Sequence, residues 1–271
     1  MLRIRPGHDR ADVTRLLRIA LAVGCFMGCL GSAWAGWSVS GEAESFHWRE
    51  STAPSVTESG PRFGLGGSWR QEKDAGWLLG WRGRLYWASL DYSGALLFSG
   101  ARATGTTEYA GASNELQVIY RPYGANLDKI DFVGSLGLDA WQRSLSAQQK
   151  EEYRVAFARL GIEYNGRTSQ GWFGGGGIKK PIYVREDAHL TDIGFDQNPI
   201  LRPGKDPSLY GQVGYRFNTR WSLLGYYDSY RFGRSGAETA TASRSFPGRT
   251  FSVFQPETKM DLLGLRLQFT F

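Results

Sequence analysis

The sequence predicts an all-β protein, a closed antiparallel transmembrane β-barrel of about ten strands. Three observations predict it. Apolar and polar residues alternate with period two along almost the whole chain, and no helical period of useful length interrupts them. Short polar connections take turns with long ones. Glycine (36 of 271 residues) and aromatic side chains (14%) are abundant, at a mean hydropathy of only −0.36. No run of about 18 apolar residues is present, which excludes a helical membrane protein. The aromatic and apolar content excludes a disordered chain.

The chain opens on a leader. Arg3, Arg5, Arg10, Arg15 and Arg18 precede an apolar run over residues 19–30, and the small-residue site Ala33-Trp34-Ala35 follows. This order of charged, apolar and small segments is that of a secretory signal, predicted to be cleaved so that residues 1–35 leave. Residues 36–271 then form the barrel domain. The apolar run is too short to cross a bilayer core of about 30 Å as an anchor. A lipoprotein signal through Cys25 or Cys29 fits less well, because Ala22 and Phe26 stand where leucine is usual. Cleavage removes both cysteines, and with them any thiolate metal site or cysteine nucleophile. It also removes half of the net charge of +6. The remainder does not point to nucleic acid.

Strands are predicted over residues 37–49, 61–70, 76–90, 114–123, 130–144, 151–164, 171–185, 208–217, 221–232 and 259–271. Each is long enough for a tilted crossing, which takes about 9–11 residues. The first loses its alternation near Ser45, where a bulge is expected. In the third, Trp77, Leu79, Trp81, Leu85 and Trp87 share a face. The middle strands are located by aromatics that bracket short turns: Trp69 and Trp77, Tyr123 and Phe132, Tyr164 and Trp172, Phe217 and Trp221. The seventh contains Pro181, which a ladder accepts only at a bulge or an edge. The eighth sets Leu209, Val213, Tyr215 and Phe217 against Gln212, Gly214 and Arg216. The last sets Leu263, Leu265, Leu267, Phe269 and Phe271 against Gly264, Arg266, Gln268 and Thr270.

The short connections lie near residues 71–75, 124–129, 165–170 and 218–220. Those at 50–60, 91–113, 186–206 and 233–257 are read as long, and 146–150 as short. A soluble sandwich has no reason to alternate loop lengths or to place aromatic pairs beside one class of turn. An outer-membrane barrel has both, with short periplasmic turns, long external loops and aromatic girdles. Closure is forced, because hydrocarbon leaves no partner for the backbone at a sheet edge. The outer membrane is therefore the expected location, with both termini of the barrel in the periplasm. The stretch 235–249, rich in Ser, Thr, Ala and Arg, reads as a mobile loop.

The final residues, Leu265, Leu267, Phe269 and Phe271 in step, resemble the C-terminal signature of Gram-negative outer-membrane proteins. The resemblance implies that Phe269 and Phe271 are read by the outer-membrane assembly machinery. In pattern the whole mature chain is similar to small Gram-negative outer-membrane β-barrel proteins, without the motif of any one family. Ten strands resemble the omptin surface proteases and the ten-stranded adhesins in architecture alone.

Alternation turns many charges inward: Glu42, Glu44, Arg82, Arg84, Glu115, Arg121, Asp139, Arg216, Asp228 and Arg266. Arg62, Arg70, Gln117, Asp131, Arg143, Arg159, Glu163 and Lys179 join them. A narrow barrel must satisfy such groups, so the expected lumen is filled by ion pairs. The excess of arginine keeps a narrow, anion-attracting pore as the competing reading. The role expected is structural, surface-interacting or narrow-pore, not enzymatic. The alternative is a hydrolase at the outer rim, omptin-like or lipid-A-modifying, with His47, His189, Asp187 and Asp192 as candidates for general base or metal ligands. The paired acidic motif of omptins has no match. Residues 174–179, Gly-Gly-Gly-Gly-Ile-Lys, lack the spacing of a phosphate-binding loop and read as a close-packed or strongly coiled wall. No cofactor and no metal are expected. The expected partners are outer-membrane lipid and lipopolysaccharide, the assembly machinery and another envelope protein.

Overall fold

The computed structural model describes residues 35–95, 100–123, 129–165, 169–243 and 248–271. The predicted leader, except Ala35, lies outside the described residues. Thirteen strands follow in chain order: β1 (Ala35–Glu50), β2 (Val56–Gln71), β3 (Gly76–Ala95), β4 (Arg102–Arg121), β5 (Ile130–Ser144), β6 (Lys150–Asn165) and β7 (Gly171–Asp187), then β8 (Ile200–Leu201), β9 (Ser208–Arg216), β10 (Trp221–Phe232), β11 (Glu238–Thr241), β12 (Thr250–Val253) and β13 (Thr258–Thr270). Ten of them pair antiparallel with their neighbours in sequence order. β6 meets β7, β7 meets β9, and β13 returns to β1, so the sheet has no free edge.

The outer face explains why closure is required. Trp77, Leu136, Leu160, Leu209 and Leu263 are each more than 60% exposed. A soluble protein does not display such a band, whereas hydrocarbon requires it. At the short-turn end the band finishes in an aromatic girdle. Trp37 and Trp69 lie 6.5 Å apart, Trp77 and Tyr120 4.9 Å, Trp172 and Tyr215 5.2 Å, and Trp221 and Phe269 5.0 Å. The chain is an outer-membrane β-barrel, with its short turns in the periplasm and its longest loops outside.

Beyond the band the polarity of the wall reverses. On β1 the outward residues become Ser45, His47 and Arg49, and the inward ones become Phe46 and Trp48, both fully buried. The same change occurs on β6, where Arg154 and Glu152 face out and Tyr153 and Val155 face in. The strands therefore outrun the membrane and continue in water. Two expectations are corrected by this. No bulge interrupts β1 at Ser45; its register against β2 and β13 is continuous. Only the identity of the favoured face changed. The long loops expected at 50–60 and 91–113 are mostly strand, since β2 begins at Val56, β3 reaches Ala95 and β4 begins at Arg102.

The remaining two long connections do stand outside the barrel. A 3-10 turn, Leu190–Ile193, packs with Phe195 against the β11–β12 hairpin, burying Ala188, Leu190, Ala240 and Ala242. Asp196 N donates to Thr241 O at 2.9 Å and Ser243 N to Gly194 O at 2.8 Å. The described part of the segment read as a mobile loop thus carries one strand of a hairpin, β11, which pairs with β12 just beyond it and shares a small core.

Pro181 sits at a bulge, as its missing donor requires. Phe157 pairs with Pro181 and Ala156 with Tyr183, so Ile182 is the extra residue. The glycine run below it allows an unusually close wall. A Cβ on Gly177 would lie 2.0 Å from Leu160 O and 2.6 Å from Gly161 Cα. A Cβ on Gly41 would meet nothing within 4 Å. Gly177→Ala should therefore reduce the yield of folded barrel and lower its urea midpoint, and Gly41→Ala should leave both unchanged. Refolding into vesicles, scored by heat-modifiable gel mobility, checks this contrast; equal behaviour of the two variants would contradict the close approach.

Candidate functional site

The lumen is built in three tiers. Nearest the periplasm, Arg121 grips Asp131 with two nitrogens, Nε at 2.8 Å and Nη2 at 2.9 Å. Arg70 reaches across to Asp131 at 2.7 Å and to Glu163 at 2.9 Å. Arg216 donates to Asn165 Oδ1 at 3.3 Å. These are charge-assisted bonds between groups that hydrocarbon would otherwise isolate.

The middle tier follows from register. Glu42 on β1 lies opposite Arg266 on β13, and Glu44 lies opposite Arg62 on β2. Arg266 Nε meets Glu42 at 2.8 Å, and Arg62 bonds Glu44. Arg84 spans both acids, at 2.7 Å to Glu44 and 3.3 Å to Glu42, and the Tyr226 hydroxyl donates to each. On the far wall Asp228 takes Lys179 at 2.9 Å and Arg159 at 2.7 Å, and Arg159 also holds Glu115 at 3.1 Å. Asp139 is satisfied by two tyrosines, Tyr86 at 2.6 Å and Tyr230 at 3.2 Å. A cavity of about 50 Å³ remains, lined among others by Arg82, Arg84, Glu115, Arg159, Tyr210 and Arg266. That is room for a few waters.

The outer tier is a core of the kind soluble proteins have. Phe46, Trp48, Leu90, Trp141, Tyr153, Phe157, Phe232, Met260 and Leu262 fill the barrel, with Trp141 stacked on Tyr153 at 4.9 Å. Above them Arg143 is the cation among four glutamates. It meets Glu50 at 3.0 Å, Glu58 at 2.8 Å and Glu151 at 2.6 Å. Tyr109 and Thr107 also donate to Glu58, and Trp48 Nε1 donates to Glu50 at 2.9 Å. Glu186 instead takes the amide of Gln255, at 3.0 and 3.2 Å. Burial raises the carboxyl of Glu151 above its ordinary range, against the pull of Arg143. It raises Glu186 well above that range, aided by the charges of Glu151 and Glu50. Sequence reasoning missed this tier, because residues 50–60 read as a loop and the reversed alternation after Ser45 read as a bulge. The signal was the period itself, which continues with inward aromatics.

All the lumen residues expected from alternation do face inward. The rim residues do not assemble as expected. His47 points outward from β1 and makes no hydrogen bond or ion pair among the described residues. Asp192 is exposed, and only its backbone amide meets His189, donating to His189 O at 3.0 Å. His189 Nε2 instead lies 3.5 Å from Glu152 and 3.8 Å from Asp187. Asp187 in turn accepts from Asn198 at 2.5 Å and from the His189 amide at 3.3 Å, fastening the base of the loop. Among the described residues no group of three or more His, Cys, Asp or Glu side chains could hold a metal ion. Phe269 stacks edge-on between Trp221 and Phe271 on the lipid side of the wall.

No family model matches the chain, and no curated protein matches it. Among solved structures it is similar to the outer membrane protease OmpT from Escherichia coli, at 10% identity over 88% of this chain and 96% of that one, TM-score 0.49. It is similar to the translocator domain of the autotransporter NalP from Neisseria meningitidis, at 9% identity over 96% and 97% of the two chains, TM-score 0.38. It is similar to the β domain of the Bordetella autotransporter Brka, at 14% identity over 85% and 98%, TM-score 0.40. These likenesses carry no residue role or activity to this chain.

The outer tier makes a pH prediction. A carboxyl that keeps its proton longer when folded adds stability below its unfolded value, near 4.5, and that stability is lost as pH rises through the folded value. Glu186 faces Glu50, Glu151, Tyr153 and Arg143, so a carboxylate there meets mostly like charge. The urea midpoint, followed by tryptophan fluorescence, should therefore fall as pH rises from about 4.5. In Glu186→Gln that slope should flatten, and the midpoint above pH 7 should rise. A midpoint in the parent that climbs with pH over this range would contradict the assignment.

Proposed function

We propose that the chain is a non-conducting, non-enzymatic outer-membrane barrel that holds an ordered module at the cell surface for contact with another molecule. The observation that carries this reading is the filling of the lumen, with ion-paired tiers in the membrane and an aromatic core above them. A barrel so filled acts as a rigid base. What it supports outside is the packed pair of long connections, the 3-10 turn and the β11–β12 hairpin, together with the protruding strand ends. Outer-membrane lipid and lipopolysaccharide are the partners of the apolar band. The assembly machinery is the partner of the last strand, through Phe269 and Phe271. The module is the surface for another envelope protein or an external ligand.

A second reading, a hydrolase at the outer rim, has one observation in its favour: His189 with Glu152 and Asp187 beside it. A His with carboxylates can activate water. If that reading holds, purified barrel should cleave peptide or lipid A substrates, and His189→Gln should abolish cleavage while leaving the barrel folded. Under the leading reading no cleavage above a boiled control is expected from either protein.

The narrow pore is tested by single-channel recording of the purified barrel in a planar bilayer. Silence is expected, and Arg82→Ala with Arg84→Ala should remain silent, because the outer core still blocks the path. Large, stable, anion-selective steps from the parent would overturn the closed reading.

A further inference from the structure

Arg82 differs from every other inward cation of the middle tier. Among the described residues Arg62, Arg84, Arg159, Lys179 and Arg266 each have a carboxylate partner within 4 Å. Arg82 has no ion pair and no hydrogen bond. Register places it directly opposite Glu115. Glu115, however, takes its hydrogen bonds from Arg159 at 3.1 Å and from Gln117 at 3.3 Å. The lining of the cavity beside it shows the same imbalance. Arg82, Arg84, Arg159 and Arg266 face Glu115, Glu163 and Asp228, so one positive charge is left over at the level of the hydrocarbon.

An uncompensated charge there is costly, since neither lipid nor bulk water can neutralise it. Arg82 opens onto the 50 Å³ cavity, which Arg84, Arg159 and Arg266 line together with the carboxylates of Glu115, Glu163 and Asp228. The unpaired guanidinium of Arg82 and one excess positive charge thus face a space of a few water volumes. We infer that this cavity is a binding site for one small monovalent inorganic anion, of halide size, held chiefly by Arg82. Water would fill the space without removing the charge. A carboxylate-bearing metabolite or a phosphate ester needs more room than the cavity has.

The site goes beyond the closed-barrel reading and is tested separately from it. Crystals of the unaltered barrel grown in sodium bromide should show one anomalous peak within about 3.5 Å of the Arg82 guanidinium. In micelles at constant ionic strength, exchanging gluconate for bromide should raise the melting temperature in a concentration-dependent way, as ligand linkage requires. Arg82→Gln should weaken that apparent bromide affinity at least tenfold. An empty or water-filled cavity in the bromide crystals would overturn the proposal. So would a bromide effect on melting that Arg82→Gln leaves intact, which would mark surface salt binding only. The crystal arm needs no variant, so a variant that fails to fold does not leave the question open. A silent bilayer with no bromide at Arg82 rejects this site and leaves the closed lumen standing.

Discussion

The medium outside the wall governs this molecule. A β-strand has two faces, and their assignment to inside and outside is free until one solvent rejects one of them. Between Trp37 and Ala43 on β1 the outside is hydrocarbon, so apolar residues and alanine or glycine face it and Glu42 and Glu44 turn in. Past Ser45 the outside is water, and the same strand turns Phe46 and Trp48 in without breaking its ladder. The barrel is thus two folds in series that share one sheet. The lower part has an apolar exterior and a polar filling, and the upper part is arranged as a soluble protein is.

The polar filling carries a cost that its geometry must offset. Removing one partner of a buried pair typically costs about 3–5 kcal/mol, because the other charge stays behind. Glu44 and Arg62 are each about 1% exposed, so neither has a route to solvent. The network meets this by giving most charges more than one partner. Arg84 spans Glu42 and Glu44, Arg159 spans Glu115 and Asp228, and Arg70 spans Asp131 and Glu163. Such sharing ties strands that are not neighbours, and so stiffens the cross-section of the barrel. Against this background Arg82 is the exception, which is why the cavity beside it draws a ligand.

The two ends of the lumen differ in sign. The outer tier has four glutamates around Arg143, whereas the tiers below are rich in arginine. The glutamates lie where the strands stand in water, and burial there raises the carboxyl of Glu186 in place of recruiting a cation. Proton uptake is available to a group near the aqueous surface. A guanidinium inside the membrane does not have the corresponding escape, because it does not lose its proton.

Much of this was legible in the residues alone. Period two located the ten long strands and sorted the inward charges from the lipid-facing residues, and Pro181 pointed to a bulge or an edge, because each depends on local backbone geometry or on one missing donor. The run 174–177 read as a close wall for the same reason, glycine having no Cβ to hold strands apart. The tertiary structure alone decided which charge meets which. Arg70 and Glu163 are 93 residues apart in the chain and meet only because the sheet closes. It also decided how far the strands outrun the membrane, since a polar outward face looks the same in a loop and in a strand bathed by water. His189 found Glu152 and Asp187, and not Asp192, because β6 and β7 pair at that level. Sequence periodicity reports the faces of a strand, whereas contacts across a lumen depend on closure, register and depth, which no single strand contains.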